Sequence, residues 1–290
     1  MSAGELFAGT AEYYARYRPD FPRAVYEAIE RAFGLDGSGW LLDLGAGTGR
    51  VALALAGQFE GVEAVDASAE MVAVGERQAA ETSIGASAGA SAETSIGASA
   101  GTSAGAGVSH VRFRVGTAEE LDYADGTFRL VTIANAIHWM DGRAVLERLH
   151  ELVAPGGGVA LIGMPGMWSP DLRLGEERWL EALAGVMRRH LGERRRAGGG
   201  FYEAARLSHA ELIAGSPFDL GEVGTRTLEL TWSLEEVVGY LYSTSFANRA
   251  LLGSGAEAFE AELRGALEAV EPSGRYARRI EVDWAFGHRG

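Results

Sequence analysis

The apolar positions of the first 165 residues fall into short runs that alternate with stretches of helical spacing. Trp40–Leu44 is apolar except for Asp43 and reads as a strand buried on both faces. Val51–Ala56 then suits a short buried helix, and Gly61–Asp66 a second strand. Ser68 stands where it caps a helix over Ala69–Ala79. Val111–Val115 alternates as a third strand and Phe128–Ala134 gives a fourth. Arg143–Val153 places Val145, Leu149 and Leu152 on one helical face, and Val159–Gly163 is a fifth strand. Ahead of this series, Thr10 stands as the cap of a helix that must end before Pro19. Pro22 then opens a helix over Arg23–Phe33 with Val25, Ile29 and Phe33 inward. After residue 165 the pattern is less regular. Ser208 caps a short helix to Ala214, and Leu228–Trp232 alternates as a sixth strand. Ser233 and Glu236 form a capping box for a helix over Leu234–Phe246. Ala256–Val270 is helical, and Arg279–Phe286 alternates as the last strand. Strands alternating with helices predict an α/β fold around a mostly parallel sheet.

One segment departs from this rhythm. Residues 80–91 read AETSIGASAGAS and residues 92–103 read AETSIGASAGTS, a direct repeat with one difference. Two copies with one isoleucine each cannot build a core, so Glu81–Gly107 is expected to be a flexible inserted loop. It joins a helix to the next strand, at the amino end of the strands, whereas ligands of such sheets bind at the carboxyl end.

Composition narrows the chemistry. The 290 residues suffice for a full core and 47% are apolar, a globular value. No apolar run reaches the roughly 18 residues of a membrane span, and Met1–Glu5 lacks the features of a signal peptide, so a cytoplasmic protein without membrane association is expected. With no cysteine there is neither disulfide nor thiolate chemistry. All 26 basic residues are arginines, which removes Schiff-base chemistry. A net charge of −14 disfavours nucleic acid as a partner. The six histidines show no metal-ligand spacing.

The candidate chemistry centres on Asp43-Leu44-Gly45-Ala46-Gly47-Thr48-Gly49-Arg50. A glycine turn between a strand and a helix lets a ligand approach the backbone, with the helix N-terminus behind it. The dinucleotide fingerprint G-x-G-x-x-G is not met, because Arg50 stands at its third position. Asp43 would repel a pyrophosphate and suits a ligand carrying an ammonium and a sulfonium. Asp66, 23 residues on, can accept both ribose hydroxyls of an adenosine, in NAD as in other nucleosides.

Leu41–Gly49 resembles motif I of the class I S-adenosylmethionine-dependent methyltransferases. The resemblance implies a single domain with a doubly wound, seven-stranded sheet, order 3-2-1-4-5-7-6 and the last strand antiparallel. A helical lid over 7–33 and an acceptor cap over 165–250 would complete it. It places the cofactor on Gly45, Ala46 and Gly47, with Ala67 and Met71 as an adenosine wall. For Met71 ordinary core packing is the other reading. The adenine falls near Thr117, Ala118 and Glu119, where Glu119 either accepts from the exocyclic amine or is only a helix-start acid. The strand-four tip, Asn135-Ala136-Ile137-His138-Trp139, would face the transferred methyl. It lacks the [DN]-P-P-[YFW] of nucleic-acid amino methyltransferases. His138-Trp139 instead resembles the small-molecule group similar to trans-aconitate methyltransferase, as do Tyr14-x-x-x-Arg18-Pro19 and Gly239–Ser245. His138 is then a general base, or a histidine with local bonds only. Tyr14 and Arg18 fall near the cofactor's amino-acid end, and Trp139, Tyr240, Tyr242 and Ser243 near the acceptor. The arginines of 188–196 would recognise an anionic acceptor or form a solvated face. The function implied is methylation of a small molecule at oxygen, with N- or C-methylation, a non-methylating cofactor-binding protein and a nicotinamide oxidoreductase as alternatives.

Overall fold

The computed structural model describes residues 7–88, 110–167, 177–192 and 207–290, with two further strand pieces at Arg196–Ala197 and Gly200–Phe201. Seven strands form one sheet: β1 (Trp40–Leu44), β2 (Gly61–Asp66), β3 (Val111–Val115), β4 (Phe128–Ala134), β5 (Val153–Gly163), β6 (Asp219–Ser233) and β7 (Arg275–His288). The spatial order is β3-β2-β1-β4-β5-β7-β6, and β7 alone runs antiparallel to its neighbours. This is the doubly wound α/β arrangement expected, with its order reversal at β1 and β4.

Two apolar layers hold the sheet. On one face, α2 (Arg23–Phe33) and α3 (Arg50–Leu55) bury Val25, Ile29, Phe33 and Val51 against Leu41, Leu130 and Phe286. On the other, α5 (Gly142–Leu152) and α7 (His209–Ala214) bury Leu146, Leu149 and Ile213 against Leu42, Val131 and Leu161. A third cluster stands apart. There α6 (Arg178–Leu191), α8 (Leu234–Tyr242) and α10 (Ala256–Val270) pack around Trp179, Leu183, Leu241, Phe259 and Tyr276. A short helix, α9 (Arg249–Leu252), precedes α10.

This third cluster is positioned by β6 and β7. The pairing of β7 with β5 ends at Gly163 opposite Asp283, whereas Arg226–Ser233 continue against Val282–Arg275. The two strands therefore form an arm about 26 Å long at 3.3 Å per residue, rising past the carboxyl edge of the sheet. Even-numbered residues from Tyr276 to Val282 face the interior and odd-numbered ones face solvent, so the arm turns inward a side that is apolar but for Arg278.

Some boundaries differ from the sequence pattern. Helix α4 (Ala69–Ala88) continues past Glu81, where a loop was expected. The Thr82 hydroxyl donates to the Gln78 carbonyl at 2.8 Å, which lets threonine stay in the helix. The remainder of the expected insert, 89–107, lies outside the described residues. Thr10 precedes α1 (Ala11–Tyr17) without capping it, because its hydroxyl donates back to the Phe7 carbonyl at 2.7 Å. Helix α8 stops at Tyr242 rather than Phe246. The hydroxyls of Ser243 and Thr244 donate to the carbonyls of Tyr240 and Leu241 at 2.5 and 2.6 Å, closing the last turn. Strands β6 and β7 are longer than the alternation alone indicated.

Candidate active site

The carboxyl ends of β1, β2 and β4 enclose a cavity of about 330 Å³. Its floor is the turn between β1 and α3, where Gly45, Gly47 and Gly49 all take left-handed φ values of 67°, 57° and 82°. Gly45 is required twice over: a side chain there would be strained, and its Cβ would collide with the Cβ of Ala136 at the tip of β4. Gly49 likewise permits α3 to pass close over the Phe113 ring. Gly45 and Gly47 line the cavity, and Ala46 hydrogen-bonds its amide to the Val65 carbonyl at 3.1 Å.

Asp66 lines the cavity at the end of β2. One carboxylate oxygen accepts from the Ser68 amide and the other from the Gly47 amide, both at 2.8 Å. These bonds fix the carboxylate and leave each oxygen a further lone pair for a ligand hydroxyl. Burial pushes its pKa up, against the lowering effect of the two amides. Ala67 and Met71 continue the wall, and Met71 packs on Ala11 and Val74 as well, so wall and core packing coexist. Thr117, Ala118 and Glu119 lie on the same wall. The neighbouring Glu120, rather than Glu119, closes the capping box with Thr117.

Asn135 sits at the tip of β4 with φ 53°, the one non-glycine with positive φ among the described residues. Asparagine tolerates this region, and its side-chain oxygen accepts from the Met164 amide at 2.7 Å. Asn135, Ala136 and Trp139 line the cavity. Trp139 meets Phe7 edge-on, with ring centroids 5.9 Å apart. Tyr14 lies over Gly47 and completes the roof. Phe7 and Met140 also line the cavity and were not anticipated. Phe7 belongs to no periodic pattern, while Met140 could have been found from its place beside Trp139.

Several candidates lie outside the lining. Asp43 is 1% exposed and sits beneath the turn. Its oxygens accept from the Thr132 hydroxyl at 2.7 Å and the Ala52 amide at 3.0 Å. Burial lifts its pKa to about 6, with Asp66 adding to the rise and the two hydrogen bonds opposing it. Asp43 is thus spent on anchoring α3 and does not face the ligand space. His138 is exposed and does not line the cavity. Arg18 links the α1 segment to α8. It donates to Ser243 Oγ at 2.8 Å and to the Tyr240 hydroxyl at 3.0 Å, and its guanidinium lies 5.0 Å from the Tyr14 ring and 4.4 Å from the Tyr240 ring. Tyr242 points its hydroxyl to Glu260 at 2.8 Å and its ring packs against Tyr13. Of the basic cluster, Arg189 and His190 both pair with Glu262 of α10, at 2.6 and 2.7 Å. Residues 193–195 lie outside the described residues. Among the described residues no group of three potential metal ligands occurs, and no helix is long and apolar enough to cross a membrane.

Arg50 was read only as a departure from the dinucleotide pattern. Its guanidinium pairs with Asp20 and donates to the carbonyls of Tyr14 at 3.1 Å and Ala15 at 2.8 Å. It fastens the end of α1 to the first turn of α3, directly beside the cavity.

A doubly wound sheet with a glycine turn at its switch point and an acid at the tip of β2 defines a nucleoside-cofactor site. Residues 42–161 match the family described as "Methyltransferase domain". An uncharacterised methyltransferase of Schizosaccharomyces pombe is 24% identical over 85% of this chain and 81% of its own length. A methyltransferase of Aspergillus candidus is 33% identical over 59% of this chain and 50% of its own. In three dimensions the chain is similar to a protein of Anaeromyxobacter dehalogenans assigned as a type II methyltransferase, with 22% identity and a TM-score of 0.58. That match covers 94% of this chain and 98% of the other. The fold is that of methyltransferases, the matched segment holds the switch point and the cavity, and S-adenosylmethionine is the cofactor that the motif I resemblance implies for it. The cavity fits that group: Asp66 has free lone pairs for ribose hydroxyls, Ala67, Met71 and Ala118 offer an apolar face, and the side-chain-free floor admits close approach.

Proposed function

We propose that the chain methylates a small anionic molecule at oxygen, with a carboxylate as the acceptor atom's group. The supporting observation is the character of the β4 tip. Asn135, Ala136, Trp139 and Met140 stand there, and the titratable residues of the cavity, Asp66, Glu119 and Tyr14, stand elsewhere on its wall. A carboxylate oxygen is already deprotonated, so its methylation releases no proton and needs no base. When bound, the cofactor supplies an electrophilic methyl group. The chain's own residues then align the reactants and exclude water, with Phe7, Tyr14 and Trp139 as the roof and α1 as the lid. The net charge of −14 agrees with a small acceptor and not with nucleic acid.

The test is calorimetry with S-adenosylhomocysteine, followed by methyl-transfer assays over panels of carboxylic acids, alcohols and amines. S-Adenosylhomocysteine binding with carboxyl-ester products supports the reading. Amine or carbon products overturn the choice of oxygen, and absence of binding overturns the reading altogether.

A further inference from the structure

We infer that Tyr240 and Arg278 together receive an oxyanion of the acceptor, a carboxylate or a phosphate, at a point remote from the methylated atom. This rests on the reading of the chain as a small-molecule methyltransferase. The inference comes from counting donors against acceptors. The Tyr240 hydroxyl oxygen accepts from Arg18 Nη1 at 3.0 Å and from the Met167 amide at 3.2 Å. Both lone pairs are then used, and the phenolic proton must go to a third group. No described residue accepts it. Arg278, on the interior side of β7, is 6% exposed, and its Nη1 is buried with no partner. It makes no hydrogen bond or ion pair among the described residues.

The ring of Trp232 lies 5.7 Å from that of Tyr240, and Trp232 pairs across the arm with Tyr276, two residues from Arg278 on the same interior row, so the two orphaned donors share one neighbourhood. The ionisable groups whose charge bears on Arg278 are Tyr240 and Glu177. Glu177 lies beyond ion-pairing distance. Tyr276 also has an unpartnered buried hydroxyl, but its charged neighbours are Glu268 and Glu271 on α10, and it takes no part. A buried guanidinium without a counter-charge is unfavourable, and an oxyanion between Arg278 and the Tyr240 proton would satisfy both. Arg18, bonded to the same phenol oxygen, makes that proton a stronger donor. The location suits an acceptor: α8 and the β6–β7 arm stand over the carboxyl edge, and Arg18 bridges Tyr240 to Tyr14 in the cavity roof.

The experiment uses the full chain saturated with S-adenosylhomocysteine. It is titrated calorimetrically with inorganic phosphate, with succinate, and with neutral succinamide. Saturable binding of phosphate or succinate, and not of succinamide, is expected. Arg278→Gln should weaken it about tenfold or more and Tyr240→Phe by several-fold, with partial rescue by Arg278→Lys. Tighter phosphate than succinate binding identifies a phosphorylated acceptor, and the reverse a carboxylic one. S-Adenosylhomocysteine affinity should be unchanged in Arg278→Gln, whose folding is checked by thermal melting. If neither anion saturates the wild type, if succinamide binds equally, or if Arg278→Gln binds the anions as the wild type does, the inference is overturned. Failure to bind S-adenosylhomocysteine at all would instead defeat the methyltransferase reading.

Discussion

Asp43 and Thr132 face each other across β1 and β4 as register partners, both buried, with the hydroxyl donating to the carboxylate at 2.7 Å. The other carboxylate oxygen holds the Ala52 amide in the first turn of α3. One side chain thus ties two central strands to the helix behind the glycine turn, without touching the cavity it supports.

A pH dependence follows from that burial. The folded pKa of Asp43, about 6, is above its ordinary 3.8. Its contribution to stability is fully present below about pH 4 and is lost as pH rises through about 6, on the order of 2–3 kcal/mol in all. Asparagine can still accept from Ala52 and donate to Thr132. Urea unfolding of Asp43→Asn between pH 4 and 7 should therefore lack this loss, so the variant gains on the wild type as pH rises. Parallel curves for the two proteins would refute the assignment.

Gly45 is expected to be intolerant of even one methyl group. Gly45→Ala combines a φ of 67° with a collision at Ala136, and about 2 kcal/mol or more of stability should be lost together with most cofactor binding. Gly57→Ala meets nothing within 4 Å and should be neutral or stabilising by under about 1 kcal/mol. Chemical denaturation of the pair checks the contrast.

Removing the Arg50 guanidinium should free α1 before it unfolds anything. In Arg50→Met the amides of Ala11–Tyr17 should exchange faster and S-adenosylhomocysteine should dissociate faster. Arg50→Lys should rescue only in part, because one ammonium cannot span Asp20 and two carbonyls. Unchanged exchange in α1 would show that the anchor is dispensable.

His138 offers a discriminating variant. A general base contributes roughly 10²–10⁴-fold to rate. Because His138 is exposed and outside the cavity lining, His138→Ala should retain turnover within about tenfold at every pH measured. A larger drop would restore the base assignment.

The repeat between α4 and β3 joins the sheet at the amino end of β3. Deleting residues 90–104 should leave S-adenosylhomocysteine affinity within about twofold. A large loss in a variant that melts normally would place the segment at the site.

The strands and helices around the glycine turn were legible because their periodicity reflects burial against one sheet. The Gly45 and Asp66 positions could be read because the tight turns after β1 and β2 admit few residue types, whereas Asp43, read as suiting the ligand, lies beneath the turn. The sequence also determined the α/β class, the left-handed turn and the caps at Ser68, Ser208 and Ser233, all of which depend on neighbours a few residues away. Only the tertiary structure decided what Asp43 and Arg50 hold, that Tyr242 is spent on Glu260, and that Arg18 reaches Tyr240. These depend on segments brought together from 222 positions apart, as for Arg18 and Tyr240, and local pattern carries no record of which side chains meet once the arm folds over the sheet.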